Sequence, residues 1–229
     1  MNPSITIRIV AYIDIVGWKR SFDTIGHEGL VRIATKISKH KAAFSIDQKK
    51  KIREYENQMG GQLSIPQDYY DICFSFVSDN FVISASPTHL HRLLSVTKWD
   101  CMELLQMHGL LTRGSINMGE FTHDMSNDIA IGRPLNKAVS IEQSTKMPRI
   151  VVDSEVVELA KKSFDCEQLI YYDGECDILN IANKSEDWLV SSKKQIDAVL
   201  NSDLGAYEKC KWKYIAEHLP RMYATATSN

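Results

Sequence analysis

Two aspartates stand where the chain could do chemistry. Asp14 lies inside the apolar run AYIDIVGW, and Asp79 lies in the turn sequence VSDN between two runs of β-forming residues. A carboxylate within a strand bears a desolvation cost unless it meets a cation or hydrogen-bond donors, so Asp14 belongs at an open sheet end beside something positive. Aspartate is also a preferred turn residue, and on the residues alone both a turn or capping role and a cation-binding role stay open, more so for Asp79 than for Asp14. After Asp14 the chain turns at Gly17, and the backbone amides around Gly17, Trp18 and Lys19 sit where a strand passes into a helix, a geometry that can cradle phosphate.

The elements that must position these residues follow from periodicity. Ile5 to Val16 is rich in Ile and Val and reads as a buried strand. Beyond Ser21, Ile25, Leu30, Ile33, Ala34 and Ile37 fall at helical spacing. The stretch near 45–66 is charged and ends at Gly60 and Gly61, which predicts a polar helix or a mobile excursion at the surface. YYDICFSFVSDNFVISAS predicts a hairpin with Asp79 at or beside its tip. Residues 87–111 read as one helix or a broken pair, LLTRGSINMGEFTH as a strand, and AIGRPLNKAVSIEQSTK as a turn at Gly132 and Pro134 leading into a helix. The last third predicts a strand (RIVVDS), a helix (EVVELAKKSF), strands around LIYYD and DILNI, and a final helical tract. This order of strands and helices implies an α+β sandwich, with helices against a mainly antiparallel sheet.

Composition bounds the function. The 229 residues suffice for one domain, expected to span 1–229. A formal charge of −2 gives no support for binding nucleic acid polymers or anionic membranes. Five cysteines are scattered without a CxxC pair, and no signal peptide precedes them, which predicts a reduced, cytoplasmic setting. The longest apolar stretch is interrupted by Arg8 and Asp14, too short for a membrane span.

Four motifs, in order from Ile7 to Gln143, resemble the class III nucleotide cyclases. AYIDIVGWKRSF looks like that family's first metal motif, and FSFVSDNFVISAS looks like its second. The resemblance implies that Asp14, the Ile15 carbonyl and Asp79 bind two divalent ions, Mg²⁺ or Mn²⁺, over a nucleoside triphosphate. LLTRGSINMGEF is similar to the strand whose arginine contacts the triphosphate, here Arg113, and IGRPLNKAVSIEQ to the helix start whose asparagine steadies the ribose or transition state, here Asn136. Without the family, Arg113 would read as a strand-edge ion pair and Asn136 as a helix cap. The implied fold is the cyclase's ferredoxin-like palm, and the implied assembly is a head-to-tail homodimer with metals from one chain and asparagine from the other.

Departures from the family refine this reading. The base-reading positions of purine cyclases hold Ser75 and Ile129, with Asp128 adjacent, and Ser140 stands where a transition-state arginine is usual. Arg133 and Lys137 are candidates to replace it. Serine and isoleucine cannot supply the hydrogen bonds that read a purine edge. The chain therefore looks most like the pyrimidine cyclases of bacterial Pycsar antiphage systems, which make cyclic UMP or cyclic CMP. Tyr55, Tyr69, Tyr70 and Arg20 are candidate pyrimidine contacts. The alternatives are a purine cyclase with unusual base contacts and a cyclase-like module without activity. The acidic GG turn of diguanylate cyclases is absent, since Gly60 and Gly61 precede Gln62 and Leu63.

Overall fold

Alternating apolar side chains build the long first strand, β1 (Thr6–Val16). Ile9, Ala11, Ile13 and Ile15 face one side and join the main hydrophobic core, while Arg8, Val10, Tyr12 and Asp14 share the other. The computed structural model describes residues 6–60, 65, 67–144 and 146–227. After β1 come α1 (Trp18–Thr24), α2 (Gly26–Ala43), α3 (Ile46–Gln58) and α4 (Gln67–Asp71). The expected hairpin follows as β2 (Cys73–Val77) and β3 (Asn80–Ala85), turning through Ser78 and Asp79. A 3₁₀ turn at Pro87–His89 leads into α5 (Leu90–His108), which stops at the left-handed Gly109.

Next come β4 (Leu111–Asp124), β5 (Ile129–Gly132), α6 (Arg133–Ser144), β6 (Ile150–Val152), α7 (Ser154–Ala160) and α8 (Phe164–Glu167). The chain ends with β7 (Ile170–Tyr172), β8 (Asp177–Leu179), α9 (Glu186–Leu200) and α10 (Ala206–Thr227). Among the described residues the strands form one eight-stranded sheet, ordered β2-β3-β1-β4-β6-β8-β7 with β5 added on β4. Among the described strand pairs only β4–β6 is parallel. The expected α+β architecture is the one observed. None of the helices is long and apolar enough to cross a membrane, among the described residues.

Apolar stripes from α2 (Leu30, Ile33), α5 (Leu93, Leu94) and α10 (Trp212, Ile215) share one buried cluster with Ile9 and Ile13. α6 packs across β4 and β1 and buries Pro134, Ala138 and Glu142. Gly119 of β4 faces it closely: an added Cβ would stand 3.3 Å from Pro134 Cγ.

One expectation needs correction. Ile129–Gly132, read as the approach to a turn, is a strand paired with Phe121–Asp124. Four residues of exposed alternation beside a glycine carry too little apolar signal to separate strand from turn. The charged stretch near 45–66 is, over α3, the polar helix that was one of its two expected forms: Ser45 caps it through Gln48 N–H, and buried Lys49 donates to the Tyr70 carbonyl at 2.9 Å and to that of Ile72. Residues 61–64 and 66 of that stretch lie outside the described residues.

A polar knot fastens α10 to the β7–β8 end of the sheet. The Asp173 carboxylate, 1% exposed, accepts from Tyr214 Oη (2.6 Å), Arg149 Nη1 (2.7 Å) and the N–H groups of Glu175 (2.9 Å) and Cys176 (3.0 Å). Burial pushes this carboxyl up, but those hydrogen bonds outweigh it and hold the pKa down at about 2. With the folded value below the unfolded one, the stabilisation is complete above pH ~4 and is lost as pH falls towards 2. Asp173→Asn leaves Arg149 with an exposed partner only, Glu175. The expected result is a loss of about 3 kcal/mol in urea unfolding at neutral pH, shrinking as the pH drops below 4.

Candidate active site

Antiparallel register sets Asp14 opposite Asn80 of β3 on one side and opposite Arg113 of β4 on the other. Directly opposed residues share a face, so the Arg113 guanidinium meets the Asp14 carboxylate: Nε donates to Oδ2 at 2.8 Å. The same guanidinium places Nη2 2.5 Å from Glu142 Oε1, on the buried side of α6. The side chains of Asp14 and Glu142 are 13% and 7% exposed, so one arginine bridges two buried carboxylates. Nothing in the sequence pattern singled out Glu142; at an apparent core position of α6, it becomes meaningful only once α6 lies over β4.

Asp79 arrives from the hairpin tip. Its backbone carbonyl accepts from Ile15 N–H at 2.9 Å, which ties the turn to the end of β1. Its carboxylate accepts from Asn80 Nδ2 at 2.9 Å, and Tyr12 Oη donates to Asn80 Oδ1 at 2.7 Å. Ser78 holds φ at 60°, a left-handed conformation costing a non-glycine residue roughly 1 kcal/mol. The strain sits at the turn that aims Asp79. At Gly17 the same region is adopted by glycine, φ 78°, and the chain swings from β1 into α1 without that cost.

The electrostatics show that these groups share one field. Burial raises the Asp14 carboxyl above its ordinary value; Arg113 opposes the rise, Asp79 adds to it, and Lys211 of α10 opposes it again. Glu142 is raised by burial too, held back by Arg113 and pushed up by Asp14 and Asp79. The Tyr12 phenol is driven to about 12 by burial and then by Glu142, Asp14 and Asp79. An excess of negative charge at a sheet end calls for a cation.

Asp14, Asp79 and the Ile15 carbonyl make a hard-oxygen donor set that fits Mg²⁺ or Mn²⁺, ions that take one or two carboxylates and complete their shell with water and phosphate. Among the described residues no group of three or more His, Cys, Asp or Glu is arranged to hold a metal ion.

No protein-family model matches the sequence, and no curated protein does. Solved structures do match. The chain is similar to the catalytic core of a rhodopsin-guanylyl cyclase with converted specificity, in complex with ATPαS, at a TM-score of 0.50 and 13% identity over 78% of this chain and 95% of that one. It is also similar to a bacterial light-regulated adenylyl cyclase, at a TM-score of 0.50 and 14% identity, covering 85% of this chain and 57% of the other. The chain has the class III nucleotide cyclase fold.

Within this cyclase fold the remaining expected residues divide. Ser75 lies on the Asp14 face of the sheet, since Ser75 opposes Val82 and Val82 opposes Tyr12. Two strands and one pleat separate it from Asp14, roughly 12 Å. Its hydroxyl is engaged by His123 Nε2 at 2.9 Å, and His123 Nδ1 contacts Ser84 Oγ at 2.8 Å. His123, which the sequence did not single out, therefore shares the face expected to meet a base. Ile129 sits on β5, 39% exposed, and Asp128 closes the preceding turn at φ 52°.

Asn136 is exposed on α6, on a different side of the helix from buried Glu142, and its carbonyl accepts from Ser140 Oγ at 3.0 Å. Arg133 is exposed at the start of α6, and Lys137 is committed to Asp153 at 2.7 Å. The Lys137 ammonium is thereby taken up by a carboxylate outside the Asp14 cluster. Trp18 is buried, Lys19 is exposed and Arg20 pairs with Glu208. Of the tyrosines, Tyr70 donates to Glu56 at 2.5 Å and Tyr69 to the Ala43 carbonyl at 2.5 Å, while Tyr55 is exposed on α3. The first contact ties α4 to α3 and the second ties it to the end of α2, and Tyr70 lies beside Thr6 and Arg8, at the opposite end of β1 from Asp14.

Proposed function

We propose that the chain is a nucleotide cyclase that converts UTP or CTP into the 3′,5′-cyclic monophosphate and pyrophosphate, working as a homodimer and supplying a second messenger of the Pycsar antiphage kind. The support is the meeting of Asp14, Asp79 and Arg113 at one sheet end of a cyclase fold. Two divalent ions bound there would activate the ribose 3′-hydroxyl and neutralise the polyphosphate. Asp14, Asp79 and the Ile15 carbonyl would hold them. Arg113 exchanges its carboxylate partners for phosphate oxygens, which a planar, permanently charged guanidinium grips in bidentate fashion. The amides around Gly17, Trp18 and Lys19 face the same phosphates. The 3′ oxygen loses its proton to solvent and bonds to the α-phosphorus as the bond to the β-phosphate oxygen breaks, so pyrophosphate leaves.

The pyrimidine preference rests on Ser75 and Ile129. A serine already engaged by a histidine, and an isoleucine, leave a purine edge without the lysine–aspartate or glutamate contacts that would read it. Asn136, exposed on α6, is the residue this reading assigns to the partner's site. Incubation of the protein with Mn²⁺ and each of ATP, GTP, UTP and CTP, followed by product identification, is expected to yield cyclic UMP or cyclic CMP. Turnover of ATP or GTP alone would refute the pyrimidine preference, and no cyclic product from any of the four would refute the cyclase.

A further inference from the structure

Arg113 stands between two carboxylates and is engaged by both. Its Nε donates to Asp14 Oδ2 at 2.8 Å, and its Nη2 lies 2.5 Å from Glu142 Oε1. Three elements meet in this bridge, since β1 carries Asp14, β4 carries Arg113 and α6 carries Glu142. Glu142 has no other ion pair among the described residues, so the guanidinium is its one counter-charge there. The arginine is also the most open member of the three: its side chain is 28% exposed, against 13% for Asp14 and 7% for Glu142. An anion arriving from solvent meets the guanidinium before either carboxylate.

The carboxylate that Arg113 holds is one that a metal ion would need. Asp14 already has a cation through a charge-assisted hydrogen bond, and a second cation must displace the first. Mg²⁺ gives up its water reluctantly, so it competes poorly for a carboxylate that is buried and paired. A triphosphate changes the balance. Its oxygens are the alternative partners that a planar guanidinium grips in bidentate fashion, and drawing Arg113 outwards strips Asp14 and Glu142 of their cation. Buried carboxylates without a counter-charge are costly, and a divalent ion at Asp14 offsets that cost. Two divalent ions and a fully ionised triphosphate carry equal and opposite charge, so arriving together they leave the net charge of the site as it was.

We propose that Arg113 is the resident cation of the unliganded site, keeping divalent metal off Asp14 until a triphosphate draws it away, and that Glu142 is the positioning residue that holds it there. The proposal rests on the cyclase reading for the identity of the anion but not for the guard on Asp14. Metal and triphosphate then enter as a pair, and metal alone leaves the site closed. Glu142 sets how firmly Arg113 is held: with it, release breaks two ionic contacts, and without it, one.

Mn²⁺ titration of the nucleotide-free protein, followed by the electron paramagnetic resonance of the unbound ion, tests the guard. Expected is binding roughly tenfold tighter or more in Arg113→Gln than in the parent, and loss of that gain in Arg113→Gln/Asp14→Asn. Should Arg113→Gln melt too low to titrate, Arg113→Gln/Glu142→Gln, which buries one uncompensated carboxylate fewer, makes the same comparison with the parent. Metal-free calorimetric titration with tripolyphosphate tests Glu142: affinity is expected to rise about fivefold in Glu142→Gln, and by less than about twofold when the same change is made in the Arg113→Gln background. An equal rise in both backgrounds would show that Glu142 merely repels anions, and would overturn its positioning role. Mn²⁺ binding as tight in the parent as in Arg113→Gln, or a gain that survives without Asp14, would overturn the guard while leaving the cyclase reading intact. The expected pattern in a protein that makes no cyclic nucleotide would sustain the guard and overturn the cyclase instead.

Discussion

Asp14→Asn and Asp79→Asn are each expected to reduce cyclic nucleotide formation by roughly 10³-fold or more, since each removes a charged ligand from a site whose acceleration comes from electrostatic stabilisation. The loss would not reflect unfolding. Asp14 is buried within the field of Asp79 and Glu142, and a neutral amide there relieves like-charge repulsion while retaining a hydrogen bond to Arg113. Melting curves separate the two causes. The parent is expected to be stabilised by Mn²⁺ with triphosphate, by ligand linkage, whereas both variants melt near the parent's ligand-free temperature with or without them. Turnover within tenfold of the parent in either variant would remove that aspartate from the site.

Asn136 leads to the second large effect. It is exposed on α6 and lies off the side that carries Glu142 towards Asp14, so it is not aimed at its own chain's carboxylates. In a two-fold dimer with shared sites, Asp79→Asn and Asn136→Ala would each be inactive alone. Mixed, half the dimers are heterodimers with one intact site of two, and activity is expected to return to about a quarter of the parent's. A mixture as inactive as its components would show that Asn136 serves the chain that carries it, or no site at all. Sizing of the parent alone checks the same point, since a monomer with full activity contradicts shared sites.

The two carboxylates were legible early because both break a local pattern: Asp14 interrupts an apolar strand and Asp79 sits between two. The hairpin, the strand carrying Arg113 and the helix carrying Asn136 were legible for a related reason, since alternation and helical spacing are short-range properties that one stretch of chain carries by itself. β5 was not, because four half-exposed residues beside Gly132 display neither period for long enough.

What the sequence by itself determined was therefore the α+β class, the order of the elements and a set of polar residues out of place in them. Tertiary structure decided which of those residues meet. Arg113 is 99 positions from Asp14, and only the register of β1 against β4 puts them opposite each other. Glu142 joins them because α6 crosses that pair, and His123 reaches Ser75 because β4 extends past it. No local rule marks such residues: a glutamate and a histidine at ordinary helix and strand positions look like solvated surface until long-range packing fixes what each one faces.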